Sequence, residues 1–323
     1  MTSAGTWNVE NLFRPGGDFG PADQPSYDEK IRGIAETITR AGVDVLAVQE
    51  VGDPDALADV AGLLGGDWRT VTSAHFEPDH PIRVGFLSRL PFEVVDDVTE
   101  FPELLAVVQT ADARPPVHQM GRGALAVRVE EASGRSLVMV ACHLKSKLLS
   151  FPPGPGGRPR FNPRDEGERA RVAAYALNRR TAEAVTVRAL ADRLLDGAGT
   201  ERQVMVVGDL NDEPRAATTQ ILLGPPGSEL DTRGADVPDK GDAMRLWNLA
   251  PRIPDAERFS RVYHGKPELI DHLLVSHALL RRAPLAHTIH PAGTLPSVTD
   301  DPTVRRGKPA SDHALLYTSL LED

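Results

Sequence analysis

Short runs of apolar and β-branched residues recur along the whole chain. They fall at Thr6–Val9, Val43–Val48, Trp68–Thr72, Ile82–Leu87, Ala124–Val129, Ser136–Ala141, Val204–Val207, Ile270–Val275 and Ala314–Thr318. Their length and Val/Ile/Leu content suit buried strands of packed sheets. Between some of them apolar residues return at the 3.6-residue spacing of a helix with one buried face, at Asp28–Arg40, at Pro54–Leu64 and within Arg164–Leu195. Strands and helices mixed in this way predict an α/β or α+β sandwich.

Three stretches break the pattern. Ser150–Pro163 (SFPPGPGGRPRFNP) is dense in Pro and Gly, which neither helix nor central strand tolerates, and Gly224–Gly241 and Pro291–Pro309 are further Gly/Pro-rich loops. The first could link two domains. An insertion near 150–163 in a single domain spanning 1–323 is the better reading, because strand-like sequence with polar ends continues on both sides of it.

Those polar ends carry the chemistry. Asn8 interrupts TWNVENLF, Glu50 ends VLAVQE, His143 closes VMVACH, and Asp209 and Asn211 follow the strand in VMVVGDLNDEP; Asp271 stands in ELIDHLLVS and Asp312–His313 in SDHALL. A polar group at a buried strand end is costly unless it is paired. Singly, each has an ordinary explanation: Asp209 and Asn211 as a turn, Asp312 as a cap, His313 as a core histidine, Glu50 as the cap of a helix starting near Asp53. Together the types are complementary. Carboxylates suit a hard cation, amides orient, and imidazoles move protons or contact phosphate.

Composition narrows the choice. The 323 residues are 41% hydrophobic and 25% charged, as in a compact globular protein. No run of about 18 apolar residues is present, so no membrane span is expected. With no basic start followed by an apolar stretch, a soluble, non-secreted, cytoplasmic protein is expected. Cys142 is the only cysteine, which leaves oxygen and imidazole as metal ligands. A formal charge of −10 disfavours a protein that grips long nucleic acid, although a local basic patch or bound cations can reverse the field at one site.

In their order and wording, WN, QE, HLKSK, GDLND, IDHLLVS and SDH resemble the endonuclease/exonuclease/phosphatase superfamily, typified by deoxyribonuclease I and exonuclease III, from Asn8 to His313. The resemblance implies a two-sheet α/β sandwich with helices on the outer faces and one cleft formed by strand-end loops. It implies a divalent-metal-dependent phosphoester hydrolase. Glu50 matches the principal Mg²⁺ ligand, with Asn8 and Asp312 close to the metal and Mn²⁺ a possible substitute. Asp209 matches the residue that orients or deprotonates the attacking water, and Asn211 holds water or phosphate beside it. Asp271 matches the partner of His313, and His143 a phosphate contact or general acid.

Arg122 in MGRG, and Asn178 and Arg180 in NRRTAEA, are candidates to face the cleft and clamp phosphate, or else they are solvated surface. Lys145 and Lys147 offer the same choice. His272 should point away from Asp271, because strand neighbours alternate faces. The substrate would be DNA or RNA, or else a small-molecule or lipid phosphoester; a non-catalytic binding module with the same fold is the third possibility. Arg158, Arg160 and Arg164 with Phe151 and Phe161 could form a loop that tracks a nucleic-acid backbone. Neither a protein partner nor membrane insertion is inferred.

Overall fold

A computed structural model of the chain describes every residue except 155–159, 225–228, 236, 292 and 323. The elements in order are β1 (Thr2–Leu12), α1 (Gln24–Ala41), β2 (Val45–Val51), α2 (Pro54–Leu64), β3 (Arg69–Thr72), β4 (Arg83–Ser88), β5 (Phe92–Glu100), β6 (Gln119–Glu130) and β7 (Ser136–His143). They continue with α3 (Glu166–Leu195), β8 (Gln203–Asp209), α4 (Ala217–Leu223), β9 (Trp247–Asn248), β10 (Arg261–Tyr263), β11 (Lys266–Glu268), β12 (Asp271–Val275), β13 (Ala286–Ile289), β14 (Ser297–Val298) and β15 (Leu315–Leu320).

Two six-stranded sheets pack face to face, in the orders β13-β15-β1-β2-β4-β3 and β5-β6-β7-β8-β12-β9. Val45, Ala47 and Phe86 of the first meet Val127, Met139, Val207 and Leu273 of the second in the central core. The alternate residues of the same strands face outward. Trp7, Leu46 and Val48 pack on Ile31, Ile34 and Ile38 of α1 and Leu57 and Val60 of α2. On the far side Val140, Val204 and Val206 pack on Val187, Leu190 and Leu195 of α3. Strands buried on both faces read as continuous apolar runs, which is why the sequence marked them without alternation. The result is the expected two-sheet α/β sandwich with helices outside.

Asp23 and Asp53 cap α1 and α2, each carboxylate accepting from a first-turn N–H, and Gly42 ends α1 in the left-handed conformation. Glu50 is therefore not the cap of α2. The pattern did not mark β5, whose FEVVDDVTE is half exposed at a sheet edge, or the short α4, or the small sheet β11-β10-β14. β14 and a 3₁₀ turn at Pro302–Arg305 lie inside the stretch read as the Pro291–Pro309 loop. Part of the Pro/Gly-rich stretch near 150–163, including Arg158, lies outside the described residues; beside it Phe151 and Arg160 form an isolated bridge.

Topology gathers the polar strand ends. β1 and β2 run parallel, so both end at one edge of the first sheet, where the antiparallel β15 begins. In the second sheet β7 and β8 are parallel and β12 is antiparallel to β8, giving the same arrangement.

Candidate active site

At the edge of the second sheet, His143, Asp209 and Asp271 stand side by side in register, His143 opposite Asp209 and Asp209 opposite Asp271. Gly208 makes this row possible. With φ at 145°, a Cβ there would lie 1.9 Å from the carbonyl oxygen of Cys142. The neighbouring His272 turns to the opposite face, as strand alternation requires, and donates from Nε2 to the Asp212 carbonyl at 2.8 Å.

The first sheet closes over this row. His313 Nδ1 lies 2.7 Å from Asp271 Oδ2, and its Nε2 is 3.9 Å from Asp209 Oδ2. Asn8 joins the sheets: its Nδ2 donates to Glu50 Oε1 and to Asp209 Oδ2, both at 3.0 Å. Asn211 N–H donates to Asp209 Oδ1 at 2.9 Å, and its side-chain amide holds the Leu144 carbonyl at 3.0 Å. Ser311 Oγ donates to the Asn8 carbonyl and Trp7 Nε1 to the His313 carbonyl, which fixes the SDH segment against β1.

The backbone around these groups is strained. Glu10, Asn11, Glu50 and Asn211 hold positive φ between 50° and 63°, four of the six non-glycine residues that do so among those described. Each such residue costs about 1–3 kcal/mol and persists only where its surroundings enforce it. The strain at β1 coincides with its register shift against β2, which re-aims Glu10, Asn11 and Glu50.

Electrostatics divides the cluster. Burial, with Asp271 adding to it, raises Asp209 to about 7. Burial alone would lower His313, but Asp271, Asp312 and Asp209 override it and hold the imidazolium up to about 10. His143 is pushed well below the usual range by burial and by Arg122; its Nδ1 is buried without a partner among the described residues, as is Asp271 Oδ1. Glu10 is raised to about 7 by burial and then by Asp312, although Arg305 pairs with both its oxygens.

Of the arginine candidates, Arg122 is half-buried and donates only to the Leu144 carbonyl, with no carboxylate partner among the described residues. Arg180 is buried and committed elsewhere, to Asp212 Oδ2 at 3.2 Å and the Lys145 carbonyl at 3.0 Å. Asn178 is exposed, two residues before it. Arg160 and Arg164 both bind the buried Glu168. Lys147 pairs with Asp212, while Lys145 meets only backbone and the Ser146 hydroxyl.

Sequence reasoning missed Glu10, Asn11, Lys30, His80, Arg179, Glu183 and Arg305. Glu183 accepts from the Gly121 and Lys145 N–H groups and from Arg179, bracing the segment after His143. Lys30 is 3% exposed on the apolar stripe of α1, and a lysine at that spacing was the signal available.

Asp209, Asp271 and His313 each offer a ligand atom within 4.8 Å of one another, a buried group able to hold a cation. The wider donor set of Glu10, Glu50, Asp209, Asp271 and Asp312 is hard carboxylate oxygen, which fits a divalent ion of the Mg²⁺ type. An orphaned carboxylate oxygen on Asp271 fits the same demand.

The family profile for "Endonuclease/Exonuclease/phosphatase family" matches residues 5–313. No curated protein matches the sequence. Among solved structures, truncated Caenorhabditis elegans TDP2 is similar, at 13% identity and a TM-score of 0.56, over 99% of this chain and 97% of that one. A mannosyl-6-phosphatase of Bacteroides thetaiotaomicron is similar over 100% of both chains, at 13% identity and a TM-score of 0.53. The human Nocturnin catalytic domain with bound sulfate follows at 15% identity and a TM-score of 0.50, over 99% of this chain and 94% of that one. At these identities the structural likeness speaks to the fold, and with the profile spanning nearly the whole length, the chain belongs to the endonuclease/exonuclease/phosphatase family of phosphoester hydrolases.

Proposed function

We propose that this chain is a Mg²⁺-dependent phosphodiesterase acting on nucleic-acid phosphodiester bonds, with Mn²⁺ able to replace Mg²⁺, and that 1–323 works as one domain. The observation that carries the reading is the continuous hydrogen-bonded line Glu50–Asn8–Asp209, which ends beside the His313–Asp271 pair and draws on both sheets. Site residues lie on both sides of the Pro/Gly-rich stretch, which supports one domain with an insertion there.

Glu50 and Asp312 are the groups we assign to the ion, with Asn8 close to it, its amide nitrogen donating to Glu50 and its amide oxygen accepting from the Glu10 N–H at 3.0 Å. The trio Asp209–Asp271–His313 is the tighter cluster, and we assign it to proton work instead, because His313 Nδ1 is already paired with Asp271 Oδ2 at 2.7 Å. When bound, the ion would polarise a phosphoryl oxygen and offset its charge.

The protein's own groups do the rest. Asp209, poised near neutral pH, orients or deprotonates the attacking water. Asn211 holds its carboxylate in place through the backbone N–H. His313, kept charged by Asp271, donates from Nε2 to an equatorial phosphoryl oxygen. His143 enters as a neutral imidazole and contacts phosphate rather than acting as the acid. Arg122, which has no carboxylate partner among the described residues, would meet two phosphate oxygens bidentately.

A phosphatase or phosphodiesterase acting on a small phosphoester is the second reading. It is favoured by the net charge of −10 and by the engagement of Arg160 and Arg164 with Glu168 instead of a ligand. Incubation with Mg²⁺ and a panel of single- and double-stranded DNA, RNA, a phosphodiester reporter and common phosphomonoesters decides between them. Cleavage of polynucleotides is expected; cleavage of monoesters alone would overturn the nuclease reading.

A further inference from the structure

Beside the carboxylate cluster runs a shallow cleft lined by Asn11, Phe19, Lys30, Arg306 and Lys308, with Glu10 at its floor. Phe19 is the ring on one wall, and two further rings back it. Phe19 lies 4.5 Å from His80 and 5.6 Å from Phe13 between ring centroids, and all three are partly exposed. This concentration stands out in a chain that is only 5% aromatic.

The wall is fixed to the site. His80 Nε2 donates to Asn11 Oδ1 at 2.9 Å, and the Asn11 N–H donates to Glu50 Oε2 at 2.9 Å. Phe13 rests on Gly52, where a Cβ would come within 2.2 Å of the ring, so the glycine two residues beyond Glu50 is needed to seat it. The opposite wall is cationic. Arg306 and Lys308 are exposed, and neither side chain has a carboxylate partner among the described residues. The Lys308 carbonyl accepts from the buried Lys30 ammonium at 3.5 Å, which ties that wall to α1.

A ring face on one side and free cations on the other, within one cleft that reaches Asn11 beside Glu50, match a planar base joined to a phosphate. We propose that this cleft is a nucleotide subsite, in which Phe19 stacks a base and Arg306 and Lys308 hold the phosphate next to the one being cleaved. The inference deepens the phosphodiesterase reading and rests on it for its chemistry. A monoester of a sugar would leave the ring wall unused, whereas a nucleotide uses both walls.

The test is equilibrium binding in EDTA, which separates recognition from hydrolysis. Adenosine monophosphate is compared with ribose 5-phosphate, and a single-stranded trinucleotide with its abasic counterpart, by calorimetry. For wild type the base-bearing ligand of each pair should bind about 5- to 100-fold more tightly, the range expected of one stacked base. Phe19→Leu should erase that ratio while keeping apolar bulk at the position. The double variant Arg306→Ala/Lys308→Ala, at exposed positions, should weaken both members of each pair equally and reduce the dependence on salt. If the trinucleotide gains over the mononucleotide, the ligand is a polynucleotide; if not, it is a free nucleotide, and either supports the subsite. A ratio near one in wild type, or a ratio unchanged by Phe19→Leu in protein of unaltered circular dichroism, would overturn it. Hydrolysis that fails while the ratio persists would instead sink the phosphodiesterase reading.

Discussion

The two rims of the cleft carry opposite, unequal debts of charge. On the rim built by β1, β2 and the segment before β15, Glu10, Glu50 and Asp312 crowd together with Lys30, Arg305 and, 3.8 Å from Asp312, Arg261, and burial with repulsion from Asp312 raises Glu10 to about 7. On the rim built by β6, β7 and α3, Arg179 and Arg180 are already satisfied by Glu77, Glu183 and Asp212, and Arg122 and Lys145 are not. The first rim holds buried carboxylates that repel one another, and the second holds a cation without a carboxylate partner among the described residues. A metal ion with a phosphate bridging to the far side would satisfy both, which is how a chain of net charge −10 can still receive a phosphoester.

The strongest way to break this contrast is at its centre, where Asp209 touches both rims. Asp209→Asn should lower kcat by about 10²–10⁴-fold, measured by steady-state hydrolysis of whichever diester the panel identifies. In the metal-free protein the same change should be stabilising at pH 8. Asp209 is raised to about 7, so the wild type gives up stability as pH rises from the ordinary carboxylate range through 7. Thermal melts should show the variant's advantage shrinking toward pH 4.

Next in size is the link that keeps His313 charged. Asp271→Asn should cost about 10²–10³-fold in kcat/KM and move the alkaline limb of the pH profile downward. The sign follows from linkage. A histidine raised from 6.5 to about 10 contributes stability that is fully present below 6.5 and lost as pH climbs through 10. The fall in melting temperature between those limits should therefore flatten in Asp271→Asn.

The arginines sharpen the comparison directly. Arg122→Ala should cut kcat/KM about 10–100-fold with little change in melting temperature, because the group holds only one carbonyl. Arg180→Ala should do the reverse, costing about 1–3 kcal/mol in denaturant unfolding by removing a buried donor from the Lys145 carbonyl and one of the partners of Asp212, which keeps Lys147 and Thr218. Smallest is Trp7→Phe, which removes the hydrogen bond to the His313 carbonyl from a fully buried ring and should cost about 1–2 kcal/mol.

The strand cores were legible because both faces of each sheet are covered, so the runs carry no alternation to misread. The site was legible because its polar residues end those runs, and a charge there stands out against apolar neighbours. The edge strand β5 was not, since Glu93 and Glu100 face solvent, Asp97 accepts from the Ser73 hydroxyl and the Ala74 N–H, and nothing in FEVVDDVTE distinguishes it from a loop. Arg122 and Arg180 were indistinguishable as candidates. Their difference lies in Asp212, 32 residues from Arg180 in sequence, which pairs with one and not the other. Glu10 and Asn11 sit inside the same NVENLF motif as Asn8, but their orientation depends on left-handed backbone that the sequence does not announce.

The most direct test of the account is a Mg²⁺ titration of phosphodiester hydrolysis by wild type, Glu50→Gln and Asp209→Asn, each stripped with EDTA and then resupplied with metal. The account predicts that wild-type activity vanishes in EDTA and returns with Mg²⁺ or Mn²⁺, that Glu50→Gln needs at least about tenfold more metal, and that Asp209→Asn stays inactive at every concentration. Hydrolysis that persists without metal, or normal turnover in Asp209→Asn, would contradict it.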